Sequence, residues 1–274
     1  MKPPIDFSFS QQNLQDYLDC PRRFELRYLQ RLAWPAIRSE PVLELERQMR
    51  LGERFHQMVQ QHQLGLPEET VASQATELEL EEWWRSYLAH PPAELPSRRY
   101  PEMTLAAPFR GYRLVAKYDL VAVDPGRSAV IVDWKTNRKP IPPSILRLRA
   151  QTRLYPFLLA LAGAHLNGGG EIRAEQIEMI YWFTADPIRP ASFPYSQAQF
   201  EADREFLAGI IAQIEAQETP FPLTDDERRC LFCNYRSLCL RGVSAGREEE
   251  SEADGEKGEL LPDFDFDQIA EIQF

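Results

Sequence analysis

Cysteine is scarce in this chain, with four in 274 residues and none between Cys20 and Cys230. The opening Met1-Lys2-Pro3-Pro4-Ile5-Asp6 lacks the apolar stretch of a secretory leader. A reducing, cytoplasmic setting is therefore expected, which argues against a disulfide framework and leaves free thiols or metal ligands. No run of 18 or more apolar residues occurs, so no membrane-spanning helix is expected. The longest apolar stretch, Leu154 to Ala164, suits a buried helix instead. There is no P-loop, which excludes a nucleotide-driven motor within these residues, and there is no internal repeat. Finally, no acidic residue falls between Trp134 and Gly170.

That last absence matters because the formal net charge is −11, an unpromising figure for a protein that meets nucleic acid. The charge is unevenly spread. Residues 243–274 carry 11 acidic and 2 basic side chains, and the other 242 residues are nearly balanced. The acid-free window holds Lys135, Arg138, Lys139, Arg147, Arg149 and Arg153, a basic patch able to meet phosphates. Apolar residues make up 43% of the chain, enough for a sizeable core.

Local patterns predict helices over Gln11–Asp19, around Phe24–Leu29, over Val42–Gln63 and over Glu77–Leu88. Pro91, Pro92 and Pro96 mark a loop. From Tyr100 the texture becomes β-branched and aromatic. Met103–Phe109, Tyr112–Val123 and Ala129–Trp134 read as an antiparallel meander, with turns at Arg110-Gly111 and Asp124-Pro125-Gly126. A helix over Ser144–Ala162, kinked at Pro156, a strand over Gln176–Thr184 and a helix over Ser196–Glu215 capped by Ser196 follow. The expected fold is α/β: a small mixed sheet flanked by helices, with a helical N-terminal region (7–99), a catalytic sheet and helix (100–184), and a C-terminal helix with a cysteine segment (196–241). These form one domain, residues 1–242. The acidic tail, 243–274, is expected to be disordered. It ends with Phe264, Phe266 and Phe274 among acidic residues, like the acidic tips of bacterial single-stranded-DNA-binding proteins. It serves either to recruit a partner, to fold back on the basic patch, or to keep the chain soluble.

Cys230, Cys233 and Cys239 follow a Cys-x2-Cys-x5-Cys spacing that gathers three soft ligands in one turn-rich segment. Cys20 either completes a tetrahedral four-sulfur set, suited to Zn²⁺ or an iron–sulfur cluster, or is a buried thiol. The sheet carries a second constellation in Ile131-Val132-Asp133-Trp134-Lys135. A two-residue period places Asp133 and Lys135 on one face of their strand. A hairpin through Asp124-Pro125-Gly126 would bring Asp119 toward Asp133. Two converging carboxylates make a hard oxygen site for Mg²⁺ or Mn²⁺, with the lysine placed to orient a water or offset phosphoryl charge. The alternative is an Asp–Lys pair on a hairpin surface, contributing little. Glu102 is a further candidate for this site, although Asp119 has the better spacing.

Together these motifs resemble the PD-(D/E)XK nuclease superfamily, in the branch of the RecB and AddB nuclease domains and the exonucleases of CRISPR adaptation. The resemblance spans most of residues 7–241. Phe7-Ser8-Phe9-Ser10 with Cys20-Pro21-Arg22-Arg23-Phe24 is similar to that branch's opening helix and first cluster cysteine. Gly52-Glu53-Arg54-Phe55-His56 is similar to its G-x-x-x-H motif, Asp119 to its first acidic position, and Asp133-Trp134-Lys135-Thr136 to its D-x-K-T strand. Gln151-Thr152-Arg153-Leu154-Tyr155 matches the Q-x-x-x-Y helix, and Cys230, Cys233 and Cys239 match the terminal triplet. One departure is that Ala116-Lys117-Tyr118 precedes Asp119, where the branch often has a glycine.

The resemblance implies a metal-dependent DNA nuclease acting on single-stranded or end-containing DNA. His56, Asp119 and Asp133 would hold Mg²⁺ or Mn²⁺, and Lys135, Gln151 and Tyr155 would complete the catalytic set. Cys20, Cys230, Cys233 and Cys239 would hold a structural [4Fe–4S] cluster, with Zn²⁺ as the alternative. A separate helicase, or a repair or CRISPR protein, is the implied partner, in DNA repair, recombination or CRISPR adaptation. The competing readings are a non-catalytic DNA-binding or scaffold subunit of a helicase–nuclease complex and a zinc-stapled structural protein.

Overall fold

The structure is a computed structural model that describes residues 2–32, 40–231 and 233–242. The acidic tail and its three phenylalanines lie outside these residues. The helices, in chain order, are α1 (Gln11–Asp19), α2 (Pro21–Phe24), α3 (Glu40–Gln63), α4 (Glu68–Ala72), α5 (Leu78–Ala89), α6 (Pro143–Leu146), α7 (Ala150–Ala162) and α8 (Gln197–Ala216). A π-helical turn, Glu25–Leu29, continues α2. The strands are β1 (Ser8–Phe9), β2 (Arg98–Phe109), β3 (Tyr112–Asp124), β4 (Ser128–Lys135), β5 (Ile177–Phe183) and β6 (Ala191–Pro194). This mixed sheet flanked by helices is the expected α/β, restriction-endonuclease-like architecture. No helix among the described residues is long and apolar enough to cross a membrane.

The chain divides into two compact units. The larger, residues 5–11 and 51–211, contains the whole sheet. β2 pairs with one edge of β3 over nearly its full length. On the other edge β3 meets β1 in parallel near its start and β4 antiparallel near its end. β5 joins β4 in parallel, and β6 pairs antiparallel with β5. The hairpin turns fall where glycine is needed: Gly111 and Gly126 have φ of 86° and 80°, and Arg127 N–H bonds to Asp124 O at 2.9 Å. β1 and β6 are short, and neither carries the long alternation that marks a strand in sequence.

One apolar cluster joins sheet and helices. Leu120, Val130, Val132, Trp134 and Trp182 pack with Leu51, Phe55, Met58, Val71, Leu80, Trp84 and Tyr87 from α3, α4 and α5. Phe55 stacks on Trp182 at 6.0 Å, and Tyr87 meets Trp134 edge-on at 5.5 Å. The helix expected over Ser144–Ala162 is broken at Arg147–Arg149 into α6 and α7, while Pro156 is accommodated inside α7. Ser196 caps α8 through its Oγ, which accepts Gln199 N–H at 3.2 Å.

The smaller unit, residues 1–4, 12–50 and 212–274, is organised by charge rather than by a sheet. Asp16 forms an ion pair with Arg23 at 2.8 Å and accepts from Arg27 at 3.1 Å and Tyr28 Oη at 2.8 Å. Asp19 pairs with Arg23 and with Arg229. The fully buried Glu25 pairs with Arg22 and accepts Phe221 N–H at 2.9 Å. Buried carboxylates survive only when paired and hydrogen-bonded, as these are. They bind the first helices to the segment around residues 219–229.

Candidate active site

β4 alternates as its sequence predicts. Trp134 enters the aromatic core, while Asp133 and Lys135 turn toward the start of α7. Asp133 is 1% exposed and Lys135 5%. Lys135 Nζ lies 3.0 Å from Asp133 Oδ2 and donates to Gln151 Oε1 at 3.2 Å. Gln151 Nε2 in turn donates to Asp133 Oδ1. One amide thus grips both members of the pair, which fixes the lysine's direction. Lys135 Nζ also lies 5.7 Å from the centre of the Tyr181 ring. Tyr181 Oη is held 2.7 Å from Thr152 Oγ1 of α7, which packs that helix against the sheet.

Asp119 sits where the β3–β4 ladder stops. The last paired residues are Leu120 and Val132, and one further step would set Asp119 opposite Asp133. Instead the Asp119 carboxylate takes over the backbone's role, and its Oδ2 accepts Trp134 N–H at 2.8 Å. Its Oδ1 is 3.5 Å from His56 Nδ1 on α3. On the other edge of β3 the register sets Glu102 opposite Asp119, flanked by the pairs Pro101–Leu120 and Met103–Tyr118. Glu102 has φ of 52°, a left-handed conformation within a strand. A non-glycine residue held there costs on the order of 1–3 kcal/mol and persists only where its surroundings impose it.

His56, Glu102 and Asp119 each offer a ligand atom, and these atoms lie within 4.8 Å of one another. One imidazole nitrogen and two carboxylates are hard or borderline donors that fit Mg²⁺ or Mn²⁺. The Asp133 carboxylate, engaged by Lys135 and Gln151, is outside that triplet among the described residues. Sequence spacing ranked Glu102 below Asp119. Its contribution comes from the sign of one backbone dihedral, which composition does not show. Glu102 Oε2 also pairs with Lys117 Nζ at 2.5 Å. Tyr155 is 4% exposed, and its hydroxyl donates to Lys117 O at 2.7 Å. Tyr118 Oη donates back to Tyr155 O at 2.9 Å. Tyr155 therefore clasps α7 to β3 and positions the strand that carries Asp119. Burial holds the Tyr118 hydroxyl well above the usual phenol range, so it stays a donor.

Between β4 and α7 the acid-free window surfaces as a loop on which Arg138, Lys139 and Arg147 are exposed. This places positive charge beside the Asp133–Lys135–Gln151 group.

Residues 8–240 match the PD-(D/E)XK nuclease superfamily. The chain belongs to that superfamily. Its nucleases generally use Mg²⁺ or Mn²⁺, in keeping with the donor set around Asp119. Among solved structures the chain is similar to SSO0001, at 13% identity over 87% of each chain with a TM-score of 0.39. It is also similar to a candidate exonuclease from Eubacterium rectale, at 10% identity over 87% of this chain and 89% of that one, with a TM-score of 0.48. No curated protein matches the chain.

The smaller unit gathers the cysteines. Cys20 follows α1 and caps α2, and its carbonyl accepts Arg23 N–H at 3.0 Å. Cys233 N–H bonds to Cys230 O at 3.1 Å, and Cys239 N–H to Tyr235 O at 3.1 Å. Burial, then the neighbouring Cys233, Cys20 and Cys239, pushes the Cys230 thiol up to about 11. The same causes raise Cys239. Cys20, Cys233 and Cys239 are thus neighbours of Cys230 in this unit. Yet among the described residues no three of them lie within 4.8 Å of one another. Four sulfurs on one zinc ion, at Zn–S of about 2.3 Å, would sit about 3.8 Å apart.

Proposed function

We propose that this protein is a metal-dependent DNA nuclease that hydrolyses phosphodiesters at single-stranded or end-containing DNA. The observation that carries this reading is the juxtaposition of His56, Glu102 and Asp119 with the Asp133–Lys135–Gln151 group, two polar sets linked through Asp119 and Trp134 N–H. A bound divalent ion would supply Lewis-acid polarisation of a water and of the phosphate. His56 and Asp119, with Glu102 and Asp133 as the neighbouring carboxylates, would hold it. Lys135 would direct its ammonium to the scissile phosphate, where negative charge grows in the transition state. Gln151 orients the lysine through its Oε1 and the carboxylate through its Nε2. Arg138, Lys139 and Arg147 would take the flanking phosphates, giving strong salt dependence.

In the same reading Cys20, Cys230, Cys233 and Cys239 hold a structural [4Fe–4S] cluster that ties the first helices to the C-terminal segment, its thiolates contributing folding energy. The reaction belongs to repair, recombination or CRISPR adaptation, alongside a separate helicase or adaptation protein. The test is cleavage of end-labelled single-stranded and duplex oligonucleotides with Mn²⁺ or Mg²⁺ and with chelator. Asp133→Asn and Lys135→Met, which nearly keep the volume of this buried pair, should each lower cleavage more than about 10³-fold, with circular dichroism showing that each variant is folded. Undiminished cleavage in either variant would overturn the assignment.

A further inference from the structure

Lys117 stands where a small residue would leave the approach to Asp119 open, and its side chain does something specific. Its ammonium is within 2.5 Å of Glu102 Oε2, the same carboxylate that completes the triplet with His56 and Asp119. The two partners differ in constraint. Glu102 is 19% exposed and aimed by its left-handed backbone, whereas the Lys117 side chain is 56% exposed on a flexible stem. The Lys117 backbone does not share that mobility, because Tyr155 Oη holds its carbonyl. A fixed carboxylate therefore faces two cations of different origin: the tethered ammonium and any divalent ion bound by His56 and Asp119.

We infer that Lys117 is a built-in competitor for Glu102 that weakens metal binding at this site and is displaced when the ion binds. This rests on the reading of His56, Glu102 and Asp119 as the metal site. The physical argument is charge. A divalent ion using Glu102 either displaces Lys117 or shares the carboxylate with its positive charge, and both routes subtract from affinity. The pair is partly solvated, so the subtraction is modest and shrinks as salt screens it.

The test is titration of the full chain with Mn²⁺, after purification without oxygen and removal of divalent ions by a mild chelator that leaves the cysteine centre loaded, following the free-ion electron paramagnetic resonance signal, at low and at high salt. Mn²⁺ is a hard ion that the cysteines do not favour. Lys117→Met should bind Mn²⁺ about 3- to 10-fold more tightly than wild type at low salt, with a smaller gain at high salt. In a Glu102→Gln background, where the ammonium has no carboxylate to hold, the same change should give less than about a twofold effect. No tightening in Lys117→Met, or equal tightening with and without Glu102, overturns the inference. The underlying site is checked separately: His56→Ala and Asp119→Asn should weaken Mn²⁺ binding severely. If both bind as wild type does, the metal-site reading itself fails, whatever Lys117 does.

Discussion

Asp119 accepts the backbone N–H of Trp134 at 2.8 Å, so a side-chain carboxylate supplies the rung that the β3–β4 ladder would otherwise make. This ties Asp119 of β3 to β4 between Asp133 and Lys135, the residues of the proposed active site. Removing the whole side chain should therefore do two things. Asp119→Ala should abolish cleavage and also cost about 1–3 kcal/mol of stability, by leaving Trp134 N–H without its acceptor. Asp119→Asn keeps an acceptor oxygen and should retain most of that stability while still losing activity. Denaturant unfolding beside a cleavage assay separates the two, and equal destabilisation by both variants would refute the dual role.

Much of this was legible from sequence where the cause is local. Asp124-Pro125-Gly126 fixes a tight turn, and the alternation of β3 and β4 then sets Asp119 toward Asp133. The Asp133–Lys135 pair follows from the two-residue period. The proximity of Glu102 to His56 and Asp119 goes with a positive φ within its strand, which residue spacing does not display. The strands β1 and β6 were missed because two and four residues cannot display a pattern. The break between α6 and α7 was missed because Ile145–Ala150 has helical composition. That Asp19 pairs with Arg229 is likewise set by residues far apart in the chain, beyond any local signal.

Gln151 touches Asp133 and Lys135 together and is 4% exposed. Gln151→Met, close in volume, should fold normally but release the lysine from its fixed direction. A drop in kcat of about 10- to 100-fold with KM nearly unchanged is expected, the size typical of lost orienting contacts around a metal site. Steady-state kinetics on a single-stranded oligonucleotide reads this directly. A rise in KM at constant kcat would instead assign Gln151 to substrate binding.

For the cysteine centre, protein purified without oxygen should be brown and contain about four irons per chain. Cys20→Ser and Cys233→Ser should lose iron and destabilise the chain to a similar degree, since the proposed cluster uses both thiols. Elemental analysis and thermal melts provide the measurement. Zinc at one equivalent without iron would return the site to the zinc reading.

Asp203 on α8 is fully buried, pairs with Arg153 Nε at 3.1 Å and accepts from Tyr195 Oη at 3.0 Å and Gln199 Nε2 at 2.8 Å. Burial outweighs these partners and raises its carboxyl to about 6. The folded chain then holds this proton more tightly than the unfolded chain. The group's stabilising contribution is complete below pH of about 4 and lost as pH rises through about 6, a change of order 3 kcal/mol at most. The stability difference between wild type and Asp203→Asn should therefore fall between pH 4 and pH 7. Denaturant unfolding at several pH values tests the sign, and a difference that grows with pH would contradict it.

Glu102 gives the sharpest separation of stability from function. Its φ of 52° is the region that glycine enters freely and alanine does not. Glu102→Ala and Glu102→Gly both lose the carboxylate and its pair with Lys117, so those losses cancel when the two variants are compared. What remains is the backbone: glycine relieves the strain, but it also loses more conformational entropy on folding. If the left-handed conformation is imposed by the site, relief of strain wins, and Glu102→Gly should be more stable than Glu102→Ala by about 1 kcal/mol. Both should bind Mn²⁺ poorly and cleave slowly. Urea unfolding of the metal-stripped variants gives the comparison. Alanine equal to or better than glycine would show that the backbone at residue 102 relaxes once the carboxylate is gone, and that the carboxylate's own contacts, rather than the surrounding sheet, hold the strand in this conformation.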